Sequence, residues 1–183
     1  RGTMPSFRLN DQYMFNPVEL QEWGTRHNHK MARDVVMDTE PGLGLADAIG
    51  RGGVHYNVMG TNPDDVFNAV AQLPQVPTQV DRTLLGEVLR TREGLASTGI
   101  GGGIAVPHPR DPVVLQVESP TILLCFLAHA VDFHAIDGKP VRVLFTILSP
   151  TISLHLRMLS RLAYVLHDEV LNRLLVEVAP QGP

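Results

Sequence analysis

With 183 residues, 20.1 kDa, 44% hydrophobic and 19% charged residues and a mean hydropathy of +0.03, the chain has the dimensions of one globular domain plus a small attachment. Such a composition excludes disordered, collagenous and low-complexity classes. No apolar run reaches the roughly 18–20 residues of a membrane span, and the longest, Thr121 to Ala130, contains His129. The net charge of −4 divides into +2 over residues 1–33 and −6 over the rest, so the acidic main body is unsuited to neutralising nucleic-acid phosphates and only the N-terminal part could face DNA.

The opening residues Arg1-Gly2-Thr3-Met4-Pro5 look like the interior of a longer chain and show no secretory signal. Phe7-Arg8-Leu9 and Tyr13-Met14-Phe15 flank a polar turn, as in a short hairpin, and Asn16-Pro17 opens a helix through Val18, Leu20 and Trp23. His27 to Leu43, polar and interrupted by Pro41 and Gly42, reads as a linker. Leu45, Ala48 and Ile49 then suggest a short helix stopped by Gly50, Gly52 and Gly53, followed by a strand at Val54 to Val58. Asn62-Pro63-Asp64-Asp65 supplies a cap, a first-turn proline and first-turn acids for a helix with the apolar stripe Val66, Phe67, Val70 and Leu73. A longer helix covers Val80 to Glu93. Thr121 to Leu127 and Val141 to Leu148 are aliphatic runs of strand length, as expected of strands buried on both faces. Helices at about His155 to Leu166 and Asp168 to Val178 complete an α/β chain with a mixed sheet flanked by helices on both faces and a small N-terminal hairpin-helix fragment. The single cysteine, Cys125, sits among Leu123, Leu124, Phe126 and Leu127 as core filling; it cannot form an internal disulfide and suits a reducing, cytoplasmic setting.

One stretch stands out for chemistry. Ser97-Thr98-Gly99-Ile100-Gly101-Gly102-Gly103 leads through Ile104-Ala105-Val106-Pro107 to His108. So many glycines are costly in backbone entropy and are tolerated where a backbone approaches a ligand or bends sharply, as in a hairpin loop; both readings stand. Gly-x-Gly-x-x-Gly fails at Ile104, and no Gly-Lys-Ser/Thr ending of a nucleotide loop occurs.

The run from Thr91-Arg92-Glu93 through Ala105-Val106-Pro107-His108 closely resembles the signature of the enzyme IIA domain of the phosphotransferase system, fructose/mannitol type, the class that includes the nitrogen-regulatory IIA proteins. Val131-Asp132-Phe133, Asp137-Gly138-Lys139-Pro140-Val141 and His155-Leu156 with Leu159, Leu162 and Ala163 follow in the family's order. The resemblance covers about 43–179 and implies a mannitol-type IIA fold and a phosphoryl carrier. In it, His108 accepts phosphate through Nε2 from a phosphohistidine on HPr or its nitrogen-branch relative, with no metal, nucleotide or other cofactor. It further implies that Arg92 pairs with phosphate oxygens and that His155 hydrogen-bonds the phosphate or steadies its charge. The loop residues Thr98, Gly99, Gly101 and Gly103 are expected at the phosphate, with backbone N–H groups as an anion nest and Thr98 chiefly bracing the loop. Pro109-Arg110 departs from the family's simpler residues, restricting His108 and adding a positive charge beside it.

Each assignment has a plainer alternative. Arg92 could serve only as a favourable charge at a helix C-terminus, and His155 as a solvent-facing residue at a helix start. His27 and His29 lack neighbours with ligand spacing, so no metal site is expected there; His129 and His134 fall on the loop between the core strands, His55 on a strand and His167 between helices.

Pro5 to Asn16 with Glu19, Leu20 and Trp23 resembles the wing and closing helix of an excisionase/MerR-type winged helix-turn-helix. The expected organisation is a partial winged-helix fragment at 1–26, a linker at 27–42 and the IIA domain at 43–179, with no groove-reading helix in this chain. Three functions compete: a phosphoryl-accepting IIA with regulatory output, a transcription regulator whose IIA-like body is a phosphorylation sensor or silent scaffold, and a sugar-transport IIA.

Overall fold

The computed structural model describes residues 7–9, 12–14, 23–24 and 42–179. Strands β1 (Phe7–Leu9) and β2 (Gln12–Met14) form an antiparallel hairpin with Arg8 opposite Tyr13. Gln12, which the sequence places in the turn, is a strand residue paired with Leu9. Trp23 and Gly24 are helical. The start of the expected Pro17 helix and the linker histidines His27 and His29 lie outside the described residues.

The remaining elements begin with α1 (Leu45–Gly52), where the Asp47 carboxylate accepts the Gly44 N–H at 3.2 Å and Gly53, at φ +74°, ends the helix. Gly50 and Gly52 are thus inside the helix rather than after it; packing against β6 overrides their poor helix propensity. Strand β3 (Val54–Val58) follows, then α2 (Pro63–Ala71) and α3 (Arg82–Leu95). Asn62 accepts the Asp65 N–H, and Asp81 accepts those of Thr83 and Leu84, so α3 starts two residues later than hydrophobic spacing implies. The hairpin β4 (Gly99–Gly101) and β5 (Ile104–Ala105), a 3-10 turn at Pro112–Leu115, β6 (Thr121–Val131), β7 (Val141–Leu148), α4 (Ile152–Val165) and α5 (Glu169–Val178) complete the body. Strand β6 continues past Leu127, which places His129 on the strand instead of the following loop.

The five-stranded sheet runs in the order β3-β6-β7-β5-β4. β3 is parallel to β6 and β5 to β7, whereas β6/β7 and β4/β5 are antiparallel. Alternation along β7 divides two cores. Leu144 and Leu148 pack with Phe67 and Val70 of α2 and Leu85 and Leu89 of α3, while Val143, Phe145 and Ile147 pack with Ala48 of α1 and Met158, Leu159 and Leu162 of α4. Helices therefore cover both faces, which is why β6 and β7 read as unbroken apolar runs. Because β5 and β7 run the same way, the segment after β5 and the turn into α4 emerge at one end of the sheet.

Candidate functional site

His108 leaves β5 at that end. The Pro107 carbonyl accepts the Ile147 N–H at 3.0 Å, so the histidine's segment stays beside the last residues of β7. Thr151 caps α4 by accepting the Leu154 N–H at 3.2 Å, starting the helix three residues before His155 and placing that histidine in its first turn. Here the apolar periodicity misled, because Ile152 and Ser153 begin the helix while exposed. The two rings meet with centroids 5.1 Å apart and planes tilted by 51°. His108 is 3% exposed and His155 fully buried, which removes the solvent-facing alternative for His155.

The Nδ1 atom of His108 lies 2.7 Å from the Val106 carbonyl oxygen. A carbonyl can only accept, so Nδ1 carries the proton and Nε2 the lone pair. In the neutral ring this contact makes Nε2 the nitrogen with the free electron pair.

Arg92 ends α3 with 4% exposure, its Nη1 donating to the Ala96 carbonyl at 2.7 Å. Two residues beyond Ala96, the Thr98 carbonyl accepts the Val106 N–H at 3.0 Å. A short run of hydrogen bonds thus links the arginine's helix end, through the first hairpin arm, to the residue that orients His108.

The glycine-rich run resolves into that hairpin. Gly101, Gly102 and Gly103 have φ of +96°, +63° and +82°, so the turn needs three successive residues without a Cβ penalty. Its tip is fastened where the Gly102 N–H donates to Asp137 at 2.9 Å. Burial acts upward on the Asp137 carboxyl, but N–H bonds from Gly102 and Lys139 and the Lys139 charge outweigh it and hold the pKa below the usual carboxylate range. Gly101 and Gly103 lie on the order of 15 Å of strand from His108, and the structure does not bring them to the histidine pair. Gly99 packs where a Cβ would meet that of Ala135 at 2.7 Å, a close approach of backbone to protein. Thr98 is buried as a brace: its N–H and hydroxyl both donate to the Glu93 carboxylate.

Sequence reasoning passed over Glu93, Ser97 and Asp137 as working parts. Ser97 accepts the Gly99 N–H and donates to the Phe133 carbonyl, tying the hairpin's base to the β6–β7 connection. Burial pushes the Glu93 pKa up, while its bonds to Thr98 and Ser97 and the nearby Arg92 charge oppose the rise. The adjacent Arg92-Glu93 pair was the available signal. Among the described residues, no group of three or more ligating side chains could hold a metal ion, and no helix is long and apolar enough to cross a membrane.

A family model described as phosphoenolpyruvate-dependent sugar phosphotransferase system, EIIA 2, matches residues 51–180. The nitrogen regulatory protein of Pseudomonas aeruginosa is 38% identical over 114 residues, covering 60% of this chain and 71% of that protein. The fructose-specific EIIA component of Haloferax volcanii is 39% identical over 98 residues, covering 52% of this chain; the match spans only 62% of the Haloferax protein. Among solved structures, the nitrogen regulatory protein IIA-Ntr from Neisseria meningitidis superposes with a TM-score of 0.60 at 27% identity, covering 69% of this chain and 86% of that one. The mannitol IIA of Escherichia coli shares the fold with a TM-score of 0.55 at 20% identity, covering 67% and 86%. The model match begins at Arg51, so the N-terminal winged-helix resemblance gains nothing from these comparisons.

Proposed function

The chain belongs to the EIIA 2 family of the phosphoenolpyruvate-dependent sugar phosphotransferase system, and on that premise we propose that it is a phosphoryl carrier with a regulatory output, accepting phosphate on His108 Nε2 from a phosphohistidine of HPr or its nitrogen-branch relative. The observation that carries the reading is the Nδ1 bond of His108 to the Val106 carbonyl, which leaves Nε2 as the nucleophile beside a second buried histidine.

The transfer is a displacement at phosphorus. The P–N bond to the carrier's histidine breaks, its electron pair returns to that imidazole, and a new P–N bond forms at Nε2 while the Nδ1–H keeps donating to the Val106 carbonyl. Catalysis in such a reaction is mostly positioning and charge neutralisation. Val106 fixes the ring, His155 adjoins it, and the first turn of α4 brings the positive end of a helix dipole toward the incoming anion. Arg92 supplies a guanidinium at the base of the hairpin that carries the acceptor, and Arg110 adds charge two residues past it. Leu95, Val113, Val114 and Ile152 are exposed on segments that adjoin the site along the chain, and offer an apolar seat for the carrier.

The likeness to nitrogen regulatory proteins favours a regulatory output over sugar transport. A second reading, a transcription regulator with this body as sensor or silent scaffold, draws only on the β1–β2 hairpin, which has the form of a wing.

The test is phosphate incorporation from phosphoenolpyruvate through enzyme I and each of the two carriers, comparing wild type with His108→Ala. Labelling of wild type alone is expected. Absence of labelling with both carriers, while a control EIIA is labelled, favours the silent scaffold.

A further inference from the structure

We infer that Ser149 is a further residue of the phosphoryl-transfer site, its hydroxyl reserved for a phosphoryl oxygen on His108; this rests on the phosphoryl-carrier reading above. Ser149 is fully buried, and its Oγ has no hydrogen-bond partner among the described residues. An interior hydroxyl left unpaired is unfavourable, so its persistence needs a reason.

Its position supplies one. Ser149 is the first residue after β7, two residues beyond Ile147, whose N–H is held by the Pro107 carbonyl, and two before Thr151, the cap of the helix that carries His155. It lies between the two segments that bring the histidines together. Val143, Phe145 and Ile147 face the core beneath α4, as do Ile104 and Val106 on the strand leading to His108, and the alternation carries Ser149 to that same side. His155, Met158, Leu159 and Leu162 form the buried stripe of α4 that closes over it.

A second orphaned hydroxyl on the same strand provides the contrast. Thr146 is fully buried and its Oγ1 also lacks a partner among the described residues, but it alternates with Leu144 and Leu148 toward the apolar core beneath α2 and α3. It has no anion to meet there. At Ser149 the phosphoryl group brings three acceptor oxygens, and the Oγ–H donates to one of them while the P–N bond to the carrier breaks and the bond to Nε2 forms. Ser149 contributes a hydrogen bond and transfers no proton.

The experiment compares wild type, Ser149→Ala, Ser149→Thr and Thr146→Val for transfer rate from phosphorylated HPr, half-life of the phosphorylated protein and melting temperature. A hydrogen bond to a charged group makes a loss of about tenfold to a hundredfold the expected effect of Ser149→Ala on rate, with a shortened half-life, a melting temperature no lower than wild type, and recovery in Ser149→Thr. Thr146→Val is expected to transfer at the wild-type rate. A wild-type rate in Ser149→Ala, an equal loss in Thr146→Val, or a rate loss accompanied by a lowered melting temperature overturns the assignment. Failure of wild type itself to be labelled overturns the carrier reading instead.

Discussion

The imidazoles of His108 and His155 lie 5.1 Å apart, centroid to centroid, one on the segment after β5 and the other in the first turn of α4. Parallel pairing of β5 with β7 is what brings them to one end of the sheet. If His155 steadies the phosphoryl group, His155→Gln slows phosphate incorporation by about tenfold to a hundredfold, the scale of one bond to a charged group. Stopped-flow transfer measured alongside circular dichroism checks this, since an unchanged rate in a folded variant removes His155 from the mechanism.

Glu93 gives a prediction in pH. Burial raises its folded pKa above the ordinary 4.5, so the native state holds the proton more tightly than the unfolded chain. Its stabilising contribution is full below the unfolded pKa and is lost as pH rises through the folded value. Glu93→Gln removes that titration. The melting temperature of the variant relative to wild type should therefore rise with pH from about 4.5 upward; a difference that stays constant with pH contradicts the assignment.

Cys125 is fully buried in the centre of β6, and burial pushes its thiol up to about 12. Reaction with a disulfide reagent at pH 8 should be negligible in the folded protein and complete in denaturant, because the thiolate is the reactive species. Rapid modification without unfolding would place the thiol outside the core.

Gly52 is required by contact rather than by turn geometry. A Cβ there would stand 2.1 Å from the Ile122 carbonyl oxygen, a backbone atom with little freedom to yield. Gly52→Ala should cost about 2–3 kcal/mol, which for a chain of this size lowers the melting temperature by about 5–10 °C. Gly50→Ala, with nothing within 4 Å, is the matched control and should be neutral or stabilising.

The parts of this fold that local chemistry specifies were legible in the chain. Asn62-Pro63 starts a helix because the cap and proline act within four residues, and Val141 to Leu148 is a strand because its aliphatic run is covered on both faces. Boundaries moved where long-range packing decided. The α1 helix continues through Gly50 because Gly52 must pass against β6, and α4 begins at Ile152 because Thr151 caps it. In the site, the family signature pointed to His108, Arg92 and His155, all three of which are buried and two of which adjoin, but it could not distinguish a glycine run that touches phosphate from one that turns a hairpin. Positive φ at Gly101 to Gly103 and the bond to Asp137 depend on a loop some 35 residues away in sequence.

The most direct test of the central claim is nitrogen-15 NMR of histidine-labelled protein, phosphorylated and held at alkaline pH, with the modified residue located by phosphopeptide mapping. The account predicts one phosphate on Nε2 of His108, the ring nitrogen turned away from the Val106 carbonyl. A phosphate on Nδ1 of that ring, or on His155, contradicts it.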